Sequence, residues 1–495
     1  MTRNARTRFP RIRPGAAFAA ALLVAGCGGG GSGGGTPGPG PGPGPGLPDT
    51  VEPSATLLAP APLASGLTGL LALSAQASDD TGVAAVEFEL DGQPVGAPDA
   101  TAPYEASIDT AAHAAGQHVV RVRARDAAGN LSPWSSATVR FGGAASVGAG
   151  FDKNESWVTG LANATAFARA PDGRLFVAQQ DGSLRVVKNG QLLAVPFHQF
   201  AVDARGERGL IGVALHPNFA QNGWVYVHYT TASGGTHNRI SRLTANGDVS
   251  TGVEAAGAAL PIELPLLSSA TNHNGGALHF GVDGKLYVGV GDNANAARAQ
   301  DPASVFGKLL RFNDDGTVPS DNPFCATPTQ LSCAVWATGL RNPFTFAVEP
   351  GSGRIHINDV GENSWEEINL GVRGANYGWP ASEGAGALAA GHTAPLLAYG
   401  HQAAVPAGSG PGGFLLGQSI AGGVFYPAGG AFPAPLHGSY FFADYVARFV
   451  ARLDLRNGAA YTFASLGGSP VDLLVGGDGA LYVLTRSAIT RIAAR

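Results

Sequence analysis

Three polar stretches of this chain carry residue types that move protons and hold ions. Thr271-Asn-His-Asn-Gly-Gly276 sets one imidazole, His273, between Asn272 and Asn274, ahead of a strand-like run from Ala277 to Phe280. Gly339-Leu-Arg-Asn-Pro343 supplies the pair Arg341 and Asn342. Gly361-Glu-Asn-Ser-Trp-Glu-Glu367 leads on to Asn376-Tyr-Gly-Trp-Pro380. Imidazole changes charge near roughly pH 6.5 and is the commonest general base. A guanidinium stabilises negative charge that grows beside it, and a tight turn rich in oxygen suits a hard cation such as calcium. Base, cation and oxygen-rich turn are the parts needed to oxidise an alcohol beside a metal-held cofactor. Each has a plainer reading when taken singly: a loop histidine bonded to backbone, a buried Arg serving loop carbonyls, and a solvated acidic turn at Glu366 and Glu367.

Such parts need a rigid scaffold, and a weak repeat beginning near residue 150 provides one. Asp172-Gly-Arg-Leu-Phe-Val177, Asn222-Gly-Trp-Val-Tyr-Val227, Asp283-Gly-Lys-Leu-Tyr-Val288, Ser352-Gly-Arg-Ile-His-Ile357, His437-Gly-Ser-Tyr-Phe-Phe442 and Asp478-Gly-Ala-Leu-Tyr-Val483 share one plan, a tight turn followed by an apolar strand. Several are followed by a second strand, as at Lys308–Phe312 and Ala488–Ile492. Their irregular spacing excludes a strict solenoid and suits propeller blades with long loops between strands. Six occurrences predict a six-bladed β-propeller over residues 150–495.

The region before it is of another kind. Residues 50–142 hold short alternating runs (Leu70–Ser74, Val83–Glu89, His118–Arg125, Ala137–Phe141) broken by Asp79-Asp-Thr-Gly82, Asp91-Gly92 and Asp126-Ala-Ala-Gly-Asn130. This predicts a β-sandwich, so the fold class is all-β throughout. The stretch resembles bacterial immunoglobulin-like domains of surface proteins, which implies a role in spacing or adhesion. Residues 27–49 are a Gly/Pro-rich tether with almost nothing to bury. Residues 1–26 read as an export signal: five Arg and no acid, then the apolar run Ala16–Val24. Val24-Ala-Gly-Cys27 resembles a lipobox, which implies lipidation at Cys27 and a lipid-anchored protein of the bacterial envelope, on the outer membrane. The apolar run is too short to span a bilayer, which takes about 20 residues.

Composition narrows the partners. Formal net charge is −5, and without the five signal arginines the balance is 26 basic to 36 acidic residues. Nucleic acid is excluded as a partner, because phosphate binding needs a basic face. Beyond Cys27 the cysteines are Cys325 and Cys333. In an exported protein a structural disulfide between them is the simplest account, and two thiols without nearby His do not make a zinc site.

The ordered run Gly206-Glu-Arg-Gly-Leu-Ile-Gly-Val-Ala-Leu-His-Pro-Asn-Phe219, Asn272-His-Asn-Gly-Gly276, Gly284-Lys-Leu-Tyr-Val-Gly-Val-Gly-Asp292, Gly307-Lys-Leu-Leu-Arg-Phe312, Asp321-Asn-Pro-Phe324, Leu340-Arg-Asn-Pro343, Glu366-Glu-Ile-Asn369 and Asn376-Tyr-Gly-Trp-Pro380 resembles the glucose/sorbosone dehydrogenases, soluble sugar dehydrogenases that use pyrroloquinoline quinone (PQQ). The resemblance covers about residues 155–495 and implies a six-bladed propeller. It implies His273 as the base that takes a sugar hydroxyl proton while hydride passes to PQQ, with Arg341 and Asn342 on the quinone oxygens. Glu207 and Asn272 fall at further cofactor-contacting positions. Gly361 and Glu362 stand where backbone carbonyls hold a calcium that polarises the quinone, and Glu367 and Tyr377 stand at positions of a structural calcium. A sugar substrate and an unknown electron acceptor follow.

The departures are specific. Asn272 replaces an Asp, Glu207 a Gln, Glu362 a Pro, and Ala277 stands where an Arg is frequent. Val446 and Val471 fall near the positions whose basic residues grip the PQQ carboxylates; Arg448 is nearby. Losing such cations costs affinity for an anionic cofactor, and the pattern also resembles hedgehog-interacting-protein-like propellers. The expectation is therefore PQQ-dependent oxidation of an aldose or related sugar. The alternatives are a non-catalytic propeller that binds carbohydrate or protein, and a lactonase-like hydrolase with a catalytic calcium in the channel.

Overall fold

The computed structural model describes residues 49–495 apart from 63, 65, 143–145, 254–259, 326–329, 385 and 402–414. The chain divides into Met1–Asp49 and Thr50–Arg495. The expected signal peptide, Cys27 and nearly all of the tether lie outside the described residues. No helix among the described residues is long and apolar enough to cross a membrane.

Six antiparallel sheets follow one another along the chain from Ala164 and form the six blades. Each repeat glycine (Gly173, Gly223, Gly284, Gly353, Gly438, Gly479) has φ between 66° and 91°, the left-handed region where a side chain is strained. The turn it makes delivers the second strand of each blade: Leu175–Gln179, Trp224–Thr231, Leu286–Val290, Ile355–Asp359, Tyr440–Asp444 and Leu481–Thr485. These strands are almost wholly buried, because each is covered by the neighbouring blades on both faces. Leu278, Leu286, Val288 and Leu310 of blade 3 pack on Tyr226 and Ile240 of blade 2.

The sixth blade takes three strands from the end of the chain and its outer strand, Phe151–Thr159, from the start of the propeller. Phe151–Thr159 pairs with Ala488–Ala494 from Thr159 opposite Ala488 to Phe151 opposite Ala494. This closure gives the sixth blade its fourth strand and ties the start of the propeller to its end.

Residues 54–141 form the predicted sandwich, with three strands in one sheet and four in the other. Its core is Leu73, Val86, Phe88, Val120, Val122, Val139 and Phe141. The sandwich is seated on blade 5. The Arg452 guanidinium is completely buried there and donates to the Asp91 carbonyl at 3.0 Å, Ser439 Oγ at 2.7 Å and the Asp454 carboxylate at 2.9 Å. Tyr461 Oη also donates to the Asp91 carbonyl, at 3.0 Å. Buried Gln117 sends its amide to the Ala460 carbonyl. Gly116 lies so close to Thr462 that any Cβ would collide with it. A domain expected to act as a spacer is thus held to the propeller by buried polar bonds.

Candidate active site

The three polar stretches converge where blades 2, 3 and 4 meet. His273 holds φ at 55°, a conformation few non-glycine residues adopt. Its N–H donates to Glu207 Oε2 at 2.7 Å and its carbonyl accepts from the Asn293 N–H at 3.1 Å. Gly291 presses against that carbonyl with no room for a side chain. This pinned backbone aims the ring at Asp292, whose Oδ1 lies 2.7 Å from His273 Nδ1. Asp292 is buried and also accepts from Trp379 Nε1 at 3.0 Å and from the Ala294 N–H at 2.8 Å. An ionised carboxylate only accepts, so Nδ1 carries the proton and Nε2 is left with the basic lone pair.

Arg341 and Asn342 are placed by Asp359, whose two oxygens accept their backbone N–H groups at 2.9 and 2.7 Å. Burial, and next the charge of Glu367, push the Asp359 carboxyl well above its usual range. The Arg341 carbonyl accepts from the Asp292 N–H at 2.8 Å, and Asn342 Oδ1 accepts from the Gly275 N–H at 3.0 Å, tying this pair to the histidine loop. Arg341 Nη1 donates to the Val360 carbonyl at 3.0 Å, and the guanidinium lies 5.5 Å from the centre of the Trp379 ring. Arg341 Nε is buried and meets no acceptor among the described residues.

The Gly361–Glu362 turn is tight: a Cβ on Gly361 would collide with the Trp365 carbonyl, and the Glu362 N–H donates to Glu383 Oε1 at 2.6 Å. No described N–H donates to the carbonyl of Gly361 or of Glu362, which leaves two hard oxygens for a cation. Buried Glu367 accepts from Asn369 Nδ2 at 3.0 Å and from the Gly384 N–H, and burial raises its pKa. Asn369 is fully buried, and its Oδ1 has no hydrogen-bond partner among the described residues. Tyr377 gives its hydroxyl to the Leu370 carbonyl at 2.7 Å and accepts from the Val372 N–H at 3.0 Å. No hydrogen bond joins it to Glu367 among the described residues. Asn272 is half-buried and makes no described side-chain hydrogen bond. Ala277 packs into the apolar contact of blades 3 and 4 with Tyr287, Leu340 and Phe346. Asn322 Nδ2 donates to the Cys333 carbonyl at 2.9 Å, while the Asn322 backbone carbonyl accepts the Cys325 N–H at 3.4 Å, so one residue bonds the backbone of both cysteines.

A cavity of about 230 Å³ adjoins these groups, with Gln180, Glu207, Asn342, Tyr445, Val471 and Arg486 in its wall. A larger one, about 520 Å³, lies between the sandwich and blade 5. Its walls are mainly apolar and contain none of the motif residues. The smaller cavity is where the chemistry belongs, since Glu207 and Asn342 reach from its wall to the histidine loop. The residues present fit an anionic quinone and a calcium: Arg341 has an open donor, Arg486 is a second cation, and the 361–362 turn offers carbonyls.

Sequence reasoning missed four of these residues. Asp292 and Trp379 were visible within their motifs but had no assigned role, because their contact spans distant segments. Asp359 follows no polar signature. Arg486 lies in a turn that carries no motif at all.

Comparison with known proteins agrees with the fold and the motif order. The Bacterial Ig domain model matches residues 53–122. Aldose sugar dehydrogenase YliI of Escherichia coli is 32% identical over 219 residues, covering 43% of this chain and 58% of that protein. Quinoprotein glucose dehydrogenase B of Acinetobacter calcoaceticus is 31% identical over 254 residues, 46% of this chain and 48% of that protein. The chain thus spans about half the length of the curated relatives it matches. The crystal structure of the soluble aldose sugar dehydrogenase from Escherichia coli in the apo-form superimposes with a TM-score of 0.60 at 25% identity, over 70% of this chain and all of that one. The Glucose / Sorbosone dehydrogenase model matches residues 161–493, two thirds of the sequence, and the chain belongs to that family.

Proposed function

We propose that this protein oxidises an aldose or related sugar with PQQ and calcium. The observation that carries the proposal is the His273–Asp292–Trp379 chain, which leaves His273 Nε2 basic on a loop whose backbone is bonded to Glu207, in the wall of the cavity that Arg486 also lines. When bound, PQQ would accept the hydride that leaves the carbinol carbon, and an external acceptor must later remove the two electrons. His273 Nε2 takes the proton of the hydroxyl on that carbon, so an aldose leaves as its lactone. Asp292 holds the ring in that tautomer and stabilises the imidazolium as it forms. Arg341 and Asn342 would hold the quinone oxygens, where a preorganised cation is worth about a few kcal/mol as charge grows. The Gly361 and Glu362 carbonyls would hold the calcium, which would polarise the quinone as a Lewis acid. Glu367 belongs to a second, structural calcium site, the role also assigned to Tyr377. Cys27 anchors the protein in the envelope, and Cys325 and Cys333 form a disulfide.

Reconstitution with PQQ and calcium, followed by dye reduction across a panel of sugars, tests this reading. Sugar-dependent turnover is expected, and absence of both turnover and PQQ binding ends it. The uncharged Val471 in the cavity wall favours a rival, a propeller that only binds carbohydrate or protein. Replacing His273 by Gln separates the two, since a binder keeps its affinity and has no turnover to lose.

A further inference from the structure

Arg486 occupies the turn between Leu481–Thr485 and Ala488–Ala494, at the top of the closing blade, and lines the same cavity as Val471. Its Nη1 donates to the Ala164 carbonyl at 3.0 Å and its Nη2 to Gln180 Oε1. Gln180 is itself fixed, its Nε2 donating to the Gly206 carbonyl at 2.5 Å and the Arg208 carbonyl at 3.1 Å. Both partners of the guanidinium are neutral. The other charged group in the wall, Glu207, is engaged with the His273 N–H. Burial lowers the Arg486 pKa, and the Tyr445 hydroxyl is the one group that works the other way. With no carboxylate partner among the described residues, this half-buried cation keeps unpaired charge in the cavity wall. Of its five N–H donors, two are used, so three remain for a ligand. The two neutral bonds hold the fork in place beforehand, which lowers the ordering cost of binding.

We propose, on the basis of the quinoprotein reading above, that Arg486 is the cation that receives a carboxylate of the cofactor. It takes over the task left undone by Val471, which is buried in the same wall. The positive charge is thereby moved from the first strand of blade 6 to the turn that follows its second strand. A guanidinium in this position also selects for a planar, carboxylated quinone over an uncharged one, because the fork matches carboxylate geometry.

The test is titration of the purified apo-protein with PQQ, followed by quenching of tryptophan emission, with thermal melting of each variant alongside. Arg486→Gln is expected to weaken PQQ binding ~10- to 100-fold. Arg486→Lys should fall between, keeping charge but losing the fork. Arg448→Gln, on an exposed side chain whose Nη1 donates to the Gly467 carbonyl at 3.3 Å, should bind as wild type. Arg486→Gln combined with Val471→Arg should recover affinity, because it returns a cation to the same wall. If wild type binds PQQ and Arg486→Gln binds it equally well, this assignment is overturned while the quinoprotein reading stands. If wild type binds no PQQ, the quinoprotein reading fails first and takes the assignment with it. Should Arg486→Gln fail to fold, Arg486→Lys decides: unchanged affinity at wild-type melting temperature overturns the proposal, and weakened affinity supports it.

Discussion

Trp379 Nε1 lies 3.0 Å from Asp292 Oδ2, a contact across 87 positions of sequence that locks the carboxylate holding His273. The indole keeps Asp292 from turning away, so the His273 tautomer is set by two residues outside its own loop. His273→Gln and Asp292→Asn should each lower sugar-dependent turnover by ~10²- to 10⁴-fold, with PQQ affinity within a few-fold of wild type. The double variant should be little worse than the poorer single one, because the residues act as a unit. Wild-type turnover in Asp292→Asn would remove His273 from the role of base.

The fold was legible because propeller turns leave local marks. Asp172-Gly173, Asp283-Gly284 and Asp478-Gly479 each announce a strand, and the count of six follows. The base, the Arg341–Asn342 pair and the 361–362 turn were legible as motifs. The groups that orient them were not. Asp292 meets Trp379, and Asp359 meets Arg341 and Asn342, only after blades 3 and 4 pack. Arg486 reaches its cavity by ring closure, which brings residue 486 against residues 164 and 180. The sandwich was predicted, whereas its fixed seat was not, because Arg452 reads as an ordinary strand residue.

Calcium dependence should follow backbone geometry. Stripping the protein with a chelator should abolish PQQ-dependent turnover, and calcium should restore it. Glu362→Ala should keep this dependence, since the proposed ligand is the carbonyl and the side chain is exposed. Gly361→Ala should weaken calcium binding by at least ~10-fold, because its Cβ collides with the Trp365 carbonyl and displaces the turn. Equal calcium affinity in Gly361→Ala and wild type would show that the cation sits elsewhere.

Asp472 gives a pH signature. It is half-buried, accepts from the Phe167 N–H at 3.1 Å and the Leu473 N–H at 2.8 Å, and desolvation raises its pKa to about 7. In the unfolded chain it titrates near its usual value of 3.8. The folded state therefore binds the proton more tightly, and its stabilising contribution is full below pH 3.8 and lost as pH rises towards 7. Asp472→Asn should flatten the fall of melting temperature over that interval and be more stable than wild type at pH 8. An unchanged slope between pH 4 and 7 would mean that Asp472 is not what titrates there.

The seat of the sandwich depends on Arg452. Arg452→Met leaves Asp454 with only its exposed partner Arg456 and strips the Asp91 carbonyl of one donor. Breaking one side of a buried pair typically costs about 3–5 kcal/mol. Calorimetry of residues 50–495 should show the sandwich and propeller melting together in wild type and apart in Arg452→Met. Two transitions in wild type would sink the idea of a rigid joint.

Closure of the sixth blade also dictates an order of events. Phe151–Thr159 precedes every other propeller strand, and its partner Ala488–Ala494 follows all of them. In a chain delivered from its N-terminus, the first strand must wait, edge bare, until the last has arrived. A product cut short before residue 488 would therefore leave Phe151–Thr159 and Leu481–Thr485 both without the partner strand they share, Ala488–Ala494. That makes the final hairpin a checkpoint: the turn bearing Arg486 is built in the same act that seals the ring, so an incomplete propeller lacks that cation in the cavity wall.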